Sequence, residues 1–301
     1  MKILIITGCN SPERKISLIS AKAVREALKE NGHKVQLFDL KKGYPNLKKV
    51  LPDFDVIFPV LHGEEGEGGD LQKFLSKSGK PFVGGDWRGF KKGWYKIPFK
   101  RFCEKSKILT PKWKLVRTKK DIIKFGFPSV LKASSGGSSK EVIILNSNKD
   151  IKKGGVKRLL KSPFPLLVEE FLSGVEITVG ILGSQPLPVV EIIPPKGDWF
   201  SYKNKYSDKV REIPFAPSVP KEMQKKVQNI ALKIHKKLNL GYFSRSDFII
   251  SGNKIYAFDV NTIPGMTPKS LFPKAAHAAG INFPELTQKL VELAYESKKI
   301  T

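Results

Sequence analysis

The chain has 301 residues, 40% hydrophobic and 10% aromatic, enough for a sizeable core and for two or three small domains. Lysine and arginine number 54 against 28 acids, a net charge of +26 that would favour nucleic acid, an anionic membrane surface or an anionic substrate. No apolar run approaches the ~18 residues that span a bilayer, which excludes membrane insertion.

The start, MKILIITG, reads as a core strand and not as a signal peptide. With Cys9 and Cys103 as the two cysteines, a reduced cytoplasmic compartment is expected. The lysines are scattered along helices such as Met223 to Leu238, opposite an apolar stripe, and no arginine-rich tail or aromatic-basic repeat occurs. Most of the charge is therefore read as solvated surface, and nucleic acid is not expected as a partner.

Lys2 to Thr7 is an expected strand ending in Gly8-Cys9-Asn10. Ser11-Pro12 then supplies an N-cap and a first helical proline, and apolar residues at helical spacing run to Asn31-Gly32. Val35 to Phe38 and Val56 to Val60 are further strands, whose continuous apolar pattern argues a parallel sheet. Ligands of such sheets sit beyond the carboxyl ends of the strands, where Glu13 and His62 lie. Taken singly, Glu13 could equally serve the helix dipole, and His62 could be an ordinary loop residue. The stretch Gly63 to Gly69, GEEGEGG, is too glycine-rich for a helix and is expected as a flexible turn. After a short helix and a strand at Pro81 to Val83, composition shifts to a basic stretch, with a domain boundary near residues 86 to 90.

Pro128 to Lys132 and Glu141 to Leu145 read as strands around Ala133 to Ser139, ASSGGSS. Such a loop offers backbone N–H groups with no Cβ in the way, which suits phosphate, although a bland hairpin fits as well. Leu166 to Phe171 is a strand carrying Glu169 and Glu170, and Glu176 opens the next; these acids could meet an adenine amine and a ribose, or mark an edge strand. Asp198 to Pro217 is long, polar and without period, as lids are, and contains Lys205-Tyr206.

Arg245 to Leu271 reads as two strands joined by a turn at Ser251, Gly252 and Asn253. Asp247 and Asp259 are equally far from Asn253, so a regular antiparallel hairpin sets them opposite one another, with Asn261 on the Asp259 face. Two carboxylates and an amide oxygen suit Mg²⁺ completed by substrate phosphates. A solvated acidic hairpin is the plain alternative. Arg245 shares the Asp247 face and could stabilise a developing anion, and Gly265 allows close backbone approach to a ligand. Pro284 to Glu296 closes the chain as a helix.

Taken in order, SPERKISLIS, LHGEEGEGGDLQ, LKASSGGSS, VEEFLSGVEITVGIL, KNKY and RSD…DVNTIPGMTPKSL resemble the D-alanine–D-alanine ligases of the ATP-grasp superfamily, from Thr7 to Ala294. The resemblance implies an α/β chain: an N-terminal parallel (pre-ATP-grasp) domain at 1–88, then a two-domain ATP-grasp fold with a central part at 89–185 and a C-terminal part at 186–301. It implies joining of two D-alanines through an acylphosphate, for peptidoglycan synthesis, with ATP and two Mg²⁺ (or Mn²⁺) ions, and a homodimer. Lys96 and Lys132 would contact α- and β-phosphates, Lys205 the γ-phosphate, Glu169, Phe171 and Leu172 the adenine, and Glu176 the ribose. Asp247, Asp259 and Asn261 would hold the metal. Glu13 would take the ammonium of the first D-alanine in a network with Ser138 and Tyr206. His62 belongs to the substrate site, Arg245 and the Gly265 amide to an oxyanion site, and Ser270 and Leu271 to the second carboxylate.

The chain departs from the family pattern at Asp259, where Glu is usual, at Gly68, where an acid is usual, and at Pro98, which is expected to kink or delay the helix bearing Lys96. The alternatives are a ligase using another acceptor such as D-serine, an inactive homologue, and a basic protein that binds nucleic acid or an anionic surface without catalysis.

Overall fold

The computed structural model describes residues 1–11, 13–136, 141–195 and 210–297. Strand β1 (Lys2–Thr7) pairs in parallel with β2 (Lys34–Asp39) on one side and β3 (Val56–Pro59) on the other. A parallel bridge between Ile57 and Phe82 represents the strand expected at Pro81 to Val83. Ile3 to Ile6 are fully buried because both faces of this sheet are covered, as their unbroken apolar run required. On one face Ile3 and Ile5 pack with Ala21, Val24 and Leu28 of α1 (Arg14–Glu30). On the other, Leu4 and Ile6 pack with Leu47, Leu51, Leu71 and Leu75.

Two expectations are corrected here. Helix α1 begins at Arg14 with Glu13 at its N-cap and no side-chain cap; Ser11 Oγ instead accepts the Glu13 N–H at 3.1 Å in the turn ahead of it. Within GEEGEGG, Glu64–Glu67 forms a single helical turn. The turn holds because Glu67 Oε1 accepts the Gly63 N–H at 3.1 Å, while a Cβ at Gly66 would come within 2.6 Å of the Leu61 carbonyl oxygen. Glycine is needed there for close approach, which the composition alone concealed.

The basic stretch forms two helices, Trp87–Trp94 and Lys96–Lys105. Pro98 neither kinks nor delays the second, since it occupies the first turn, where its missing N–H would have had no intrahelical partner. A four-stranded antiparallel sheet follows, ordered β4 (Trp113–Val116), β7 (Leu166–Glu170), β5 (Ser129–Ala133), β6 (Val142–Leu145). Its core, built on Leu131, Leu145, Val168, Val156 and Ile122, is a cluster of its own.

The third sheet runs β11 (Arg211–Pro214), β10 (Val190–Ile193), β8 (Val175–Leu182), β12 (Phe243–Ser251), β13 (Lys254–Asn261), with β9 (Gln185–Pro186) beside β8. Strand β11 falls in a segment expected to be irregular; it forms because β10 offers it a partner, Glu191 opposite Ile213. The core of this sheet is continuous with one face of the N-terminal sheet, running from Phe58 and Phe90 through Phe243, Phe248 and Phe272 to Leu290. Among the described residues, no helix is long and apolar enough to cross a membrane.

The helix Lys221–Leu238 packs its apolar stripe, Val227, Ala231, Ile234 and Leu238, onto this sheet. In its last turn His235 Nε2 lies 3.0 Å from the Gly241 carbonyl oxygen and Nδ1 lies 2.8 Å from Ser244 Oγ. A carbonyl only accepts, so Nε2 carries the proton and Nδ1 accepts from the hydroxyl. Burial pushes the imidazole pKa down to about 4. The unfolded chain therefore binds a proton near pH 6.5 that the folded chain refuses until about pH 4, and stability falls as pH drops through that window. The expected loss is on the order of 3 kcal/mol, at about 1.4 kcal/mol per pKa unit. Denaturation of the parent and of His235→Gln between pH 7 and 4 checks it: the variant should show the shallower slope, and equal slopes would refute the assignment.

Candidate active site

The hairpin β12–β13 places Asp247 opposite Asp259 and Arg245 opposite Asn261, as the sequence suggested, but by a different route. The turn is shorter than expected, with Ser251 opposite Lys254, so a regular hairpin would have opposed Asp247 to Phe258. A bulge between Asp247 and Phe248 restores the carboxylate pair, leaving Phe258 as the extra residue. The Phe258 ring then lies 5.5 Å from Lys132 Nζ, a contact reaching from this sheet to the central one.

Asp247 is buried, and its carboxylate takes a fork from Arg245, Nε to Oδ1 at 2.9 Å and Nη2 to Oδ2 at 3.0 Å. Thr178 Oγ1 donates to Oδ1 at 2.5 Å, and Asn261 Nδ2 to Oδ2 at 3.1 Å. Burial alone would lower the Arg245 pKa, but Asp247 holds it above the ordinary guanidinium value. Opposed carboxylates are unfavourable without a cation between them, and oxygen donors alone, two carboxylates and one amide, fit Mg²⁺. Among the described residues no cluster of three or more His, Cys, Asp or Glu side chains could hold a metal, and the candidate set here is two carboxylates with an amide.

Above the hairpin, the Glu169 carboxylate lies between two lysines. Lys100 Nζ is 2.5 Å from Oε2, and Lys132 Nζ contacts Oε1. Burial alone would raise the Glu169 pKa, but the two ammonium groups carry it below the usual carboxylate range. The Glu169 carboxylate is thus engaged by two lysines, on β7 beside the cavity that it was expected to line.

The N-terminal sheet contributes from below. Ser11 Oγ donates to the His62 carbonyl at 3.0 Å and the His62 N–H donates to Ser17 Oγ at 3.0 Å, which fixes that loop to α1. A Cβ at Gly63 would stand 3.1 Å from Glu13 Oε2, so glycine leaves the acid room. Tyr95 Oη donates to Glu64 Oε1 at 2.5 Å and Ser135 Oγ to Glu64 Oε2 at 3.4 Å, tying this loop to the glycine-serine loop. Lys96 reaches the same loop, its N–H to the Ser134 carbonyl and its Nζ to the Gly136 carbonyl, both at 2.8 Å. On the far side, the segment after β13 folds so that Ser270 Oγ lies 2.8 Å from Thr267 Oγ1, close over Gly265, at the start of the helix Leu271–Ala278.

These elements enclose one cavity of about 990 Å³. Glu13, His62, Lys96 and Lys132 line it, as do Glu169, Phe171, Leu172 and Glu176, then Arg245, Asp247, Asp259 and Asn261, and finally Gly265, Ser270 and Leu271. Ser138, Lys205 and Tyr206 lie outside the described residues. A sequence profile described as "D-ala D-ala ligase C-terminus" matches residues 93–292. The chain is 38% identical to the D-alanine--D-alanine ligase of Maridesulfovibrio salexigens over 99% of its own length and 100% of the relative's.

The chain belongs to the D-alanine–D-alanine ligase family. A second relative of the same name, from Aquifex aeolicus, is also 38% identical, over 97% of this chain and 100% of its own. The crystal structure of the Bacillus anthracis ligase complexed with ATP superposes with a TM-score of 0.86 at 26% identity, covering 100% of this chain and 99% of that one. The parallel sheet followed by two antiparallel sheets is thus the ATP-grasp ligase architecture.

Within this family member, sequence reasoning passed over Lys100, Glu64, Tyr95 and Thr178. Lys100 did leave a signal: it stands between Ile97 and Cys103 on the buried stripe of its helix, where a lysine has no business without a partner. The other three left none, because their partners are remote in sequence.

Proposed function

We propose that the chain joins two D-alanines to D-alanyl-D-alanine, converting ATP to ADP and phosphate, as a supply for peptidoglycan. The observation that carries this reading is the convergence in one cavity of phosphate-seeking lysines, an oxygen-only metal set and a buried arginine, in a member of this ligase family. The carboxylate of the first D-alanine attacks the γ-phosphate and becomes an acylphosphate; the amine of the second attacks the acyl carbon, and phosphate leaves from the tetrahedral intermediate.

Glu13 is assigned to the first ammonium, beside His62. Lys96 and Lys132 hold the α- and β-phosphates, and Lys205 the γ-phosphate. Glu169, Phe171 and Leu172 border the adenine and Glu176 the ribose. Mg²⁺, for which Mn²⁺ would substitute, neutralises phosphate charge when held by Asp247, Asp259 and Asn261. Arg245 and the Gly265 amide receive the oxyanion, and Ser270 with the Leu271 amide receives the second carboxylate at a helix N-terminus. Ser138 and Tyr206 close over the first substrate.

The parts at 1–88, 89–185 and 186–301 are assigned to first-substrate binding, nucleotide covering, and metal and acceptor binding. A cytoplasmic homodimer is the proposed form of the protein.

The test is phosphate release from Mg-ATP with D-alanine, L-alanine or no amino acid, alongside mass detection of the dipeptide. Release should require D-alanine, yield the dipeptide and be lost in Asp259→Ala. Release of phosphate with D-serine as acceptor, and none with D-alanine, would overturn the substrate assignment.

A further inference from the structure

The cluster Lys100–Glu169–Lys132 holds two cations and one anion, with side-chain exposures of 1%, 3% and 10%. The three residues stand on separate elements: Lys100 on the helix Lys96–Lys105, Lys132 on β5 and Glu169 on the neighbouring β7. Lys132 and Glu169 border the cavity and Lys100 does not. Beyond Glu169, the Lys100 ammonium has the Pro111 carbonyl at 3.4 Å, and burial pulls its pKa down. A buried cation in that position survives only with a permanent counter-ion.

The family assignment of Lys132 asks it to serve the phosphates of ATP, and Glu169 competes with them for its ammonium. Two lysines on one carboxylate make that competition weak. Each shields the anion from the other, so either can be withdrawn without leaving Glu169 a bare buried charge.

We propose that Lys100 is a positioning residue for the nucleotide: by acting as the standing counter-ion of Glu169 it releases Lys132 to turn to the phosphates of ATP. Without Lys100, Lys132 is the one cation left on Glu169 among the described residues, and Glu169 retains it. The inference rests on the ATP reading given above and deepens it. It predicts an effect on nucleotide affinity that reverses when the carboxylate is neutralised, which a purely structural ion pair would not show.

The experiment measures Mg-ATP dissociation constants and steady-state constants for the full-length parent, Lys100→Met, Glu169→Gln and the double variant, with folding checked by near-ultraviolet circular dichroism. Lys100→Met should weaken Mg-ATP by about tenfold and leave the KM for D-alanine within about threefold, and the double variant should return to within about threefold of Glu169→Gln alone. If Lys100→Met folds poorly, the comparison of the double variant with Glu169→Gln decides: once the carboxylate is neutral, loss of Lys100 should no longer affect ATP. Unchanged ATP affinity in folded Lys100→Met overturns the inference, as does a double variant tenfold or more weaker than Glu169→Gln. A parent that fails to bind Mg-ATP removes the nucleotide reading itself, a result separate from either.

Discussion

Replacing Arg245 by methionine should lower kcat by on the order of a thousandfold, with the protein still able to bind Mg-ATP. Two physical effects combine. The guanidinium is a buried cation lining the cavity and is assigned to the tetrahedral oxyanion, and preorganised donors of that kind are worth roughly 3 kcal/mol each. Its loss also strips the buried Asp247 of the fork from Nε and Nη2, while the donors Thr178 and Asn261 stay. An uncompensated buried carboxylate costs about 3–5 kcal/mol, so thermal stability should fall together with turnover. Mg²⁺ should recover part of that stability, since it would replace the missing positive charge on Asp247. Single-turnover phosphate release and thermal melts with and without Mg²⁺ separate the two effects. If turnover falls only in proportion to the unfolded fraction, Arg245 is a structural cation and the oxyanion assignment is wrong.

Gly89→Ala should be among the most destabilising single changes in the chain. A Cβ at Gly89 would lie 1.6 Å from the Leu238 carbonyl oxygen, where neither side can yield because both atoms belong to helix backbone. The neighbouring contacts are equally close: a Cβ at Gly85 would lie 2.4 Å from the Asn239 carbonyl oxygen, and one at Gly241, whose φ is +82°, 1.8 Å from that of Gly84. The Asp86 N–H donates to the Asn239 carbonyl at 2.8 Å between them. The start of the helix Trp87–Trp94 thus meets the end of the helix Lys221–Leu238 backbone to backbone. We expect a loss of about 4 kcal/mol or more, a Tm lowered by roughly 10 °C. Gly154→Ala is the control: nothing stands within 4 Å of its Cβ and it opens a helix. A Gly89→Ala protein melting within about 2 °C of the parent would contradict this packing.

The same junction explains part of what the sequence concealed. A composition shift near residues 86 to 90 suggested a boundary there, and it gave no sign that Phe90 is fully buried in the core shared with the C-terminal sheet. Basic residues marked the outer faces of those helices, and the glycines that join them carried no pattern to read. Strands were legible wherever apolar runs met turn residues, as in β1, β5, β7 and the β12–β13 hairpin. Strand β11 was not, since it depends on a partner in β10 and its own residues, Arg-Glu-Ile-Pro, show no alternation of note.

The site residues were legible as an ordered set and not from individual chemistry. Asp247 and Asp259 face each other only because a shorter turn and a bulge compensate, and bulges answer to tertiary packing that no local signal encodes. Glu169 was noticed for its charge, but its two lysines, one of them 69 residues upstream, are far away in a chain where lysine is too common to stand out.

One consequence of the core arrangement concerns movement. The N-terminal and C-terminal sheets share a continuous apolar cluster, whereas the central sheet keeps a separate one. Sliding the first two past each other would expose that shared apolar surface, while tilting the central sheet would not. The first two are thus tied by apolar packing that the central sheet does not share. The seam between them and the central sheet is crossed by polar contacts, that of Lys96 Nζ with the Gly136 carbonyl among them, and such groups can re-pair with water as they separate. A cleft that opens for a nucleotide would therefore do so at least apolar cost by tilting the central sheet.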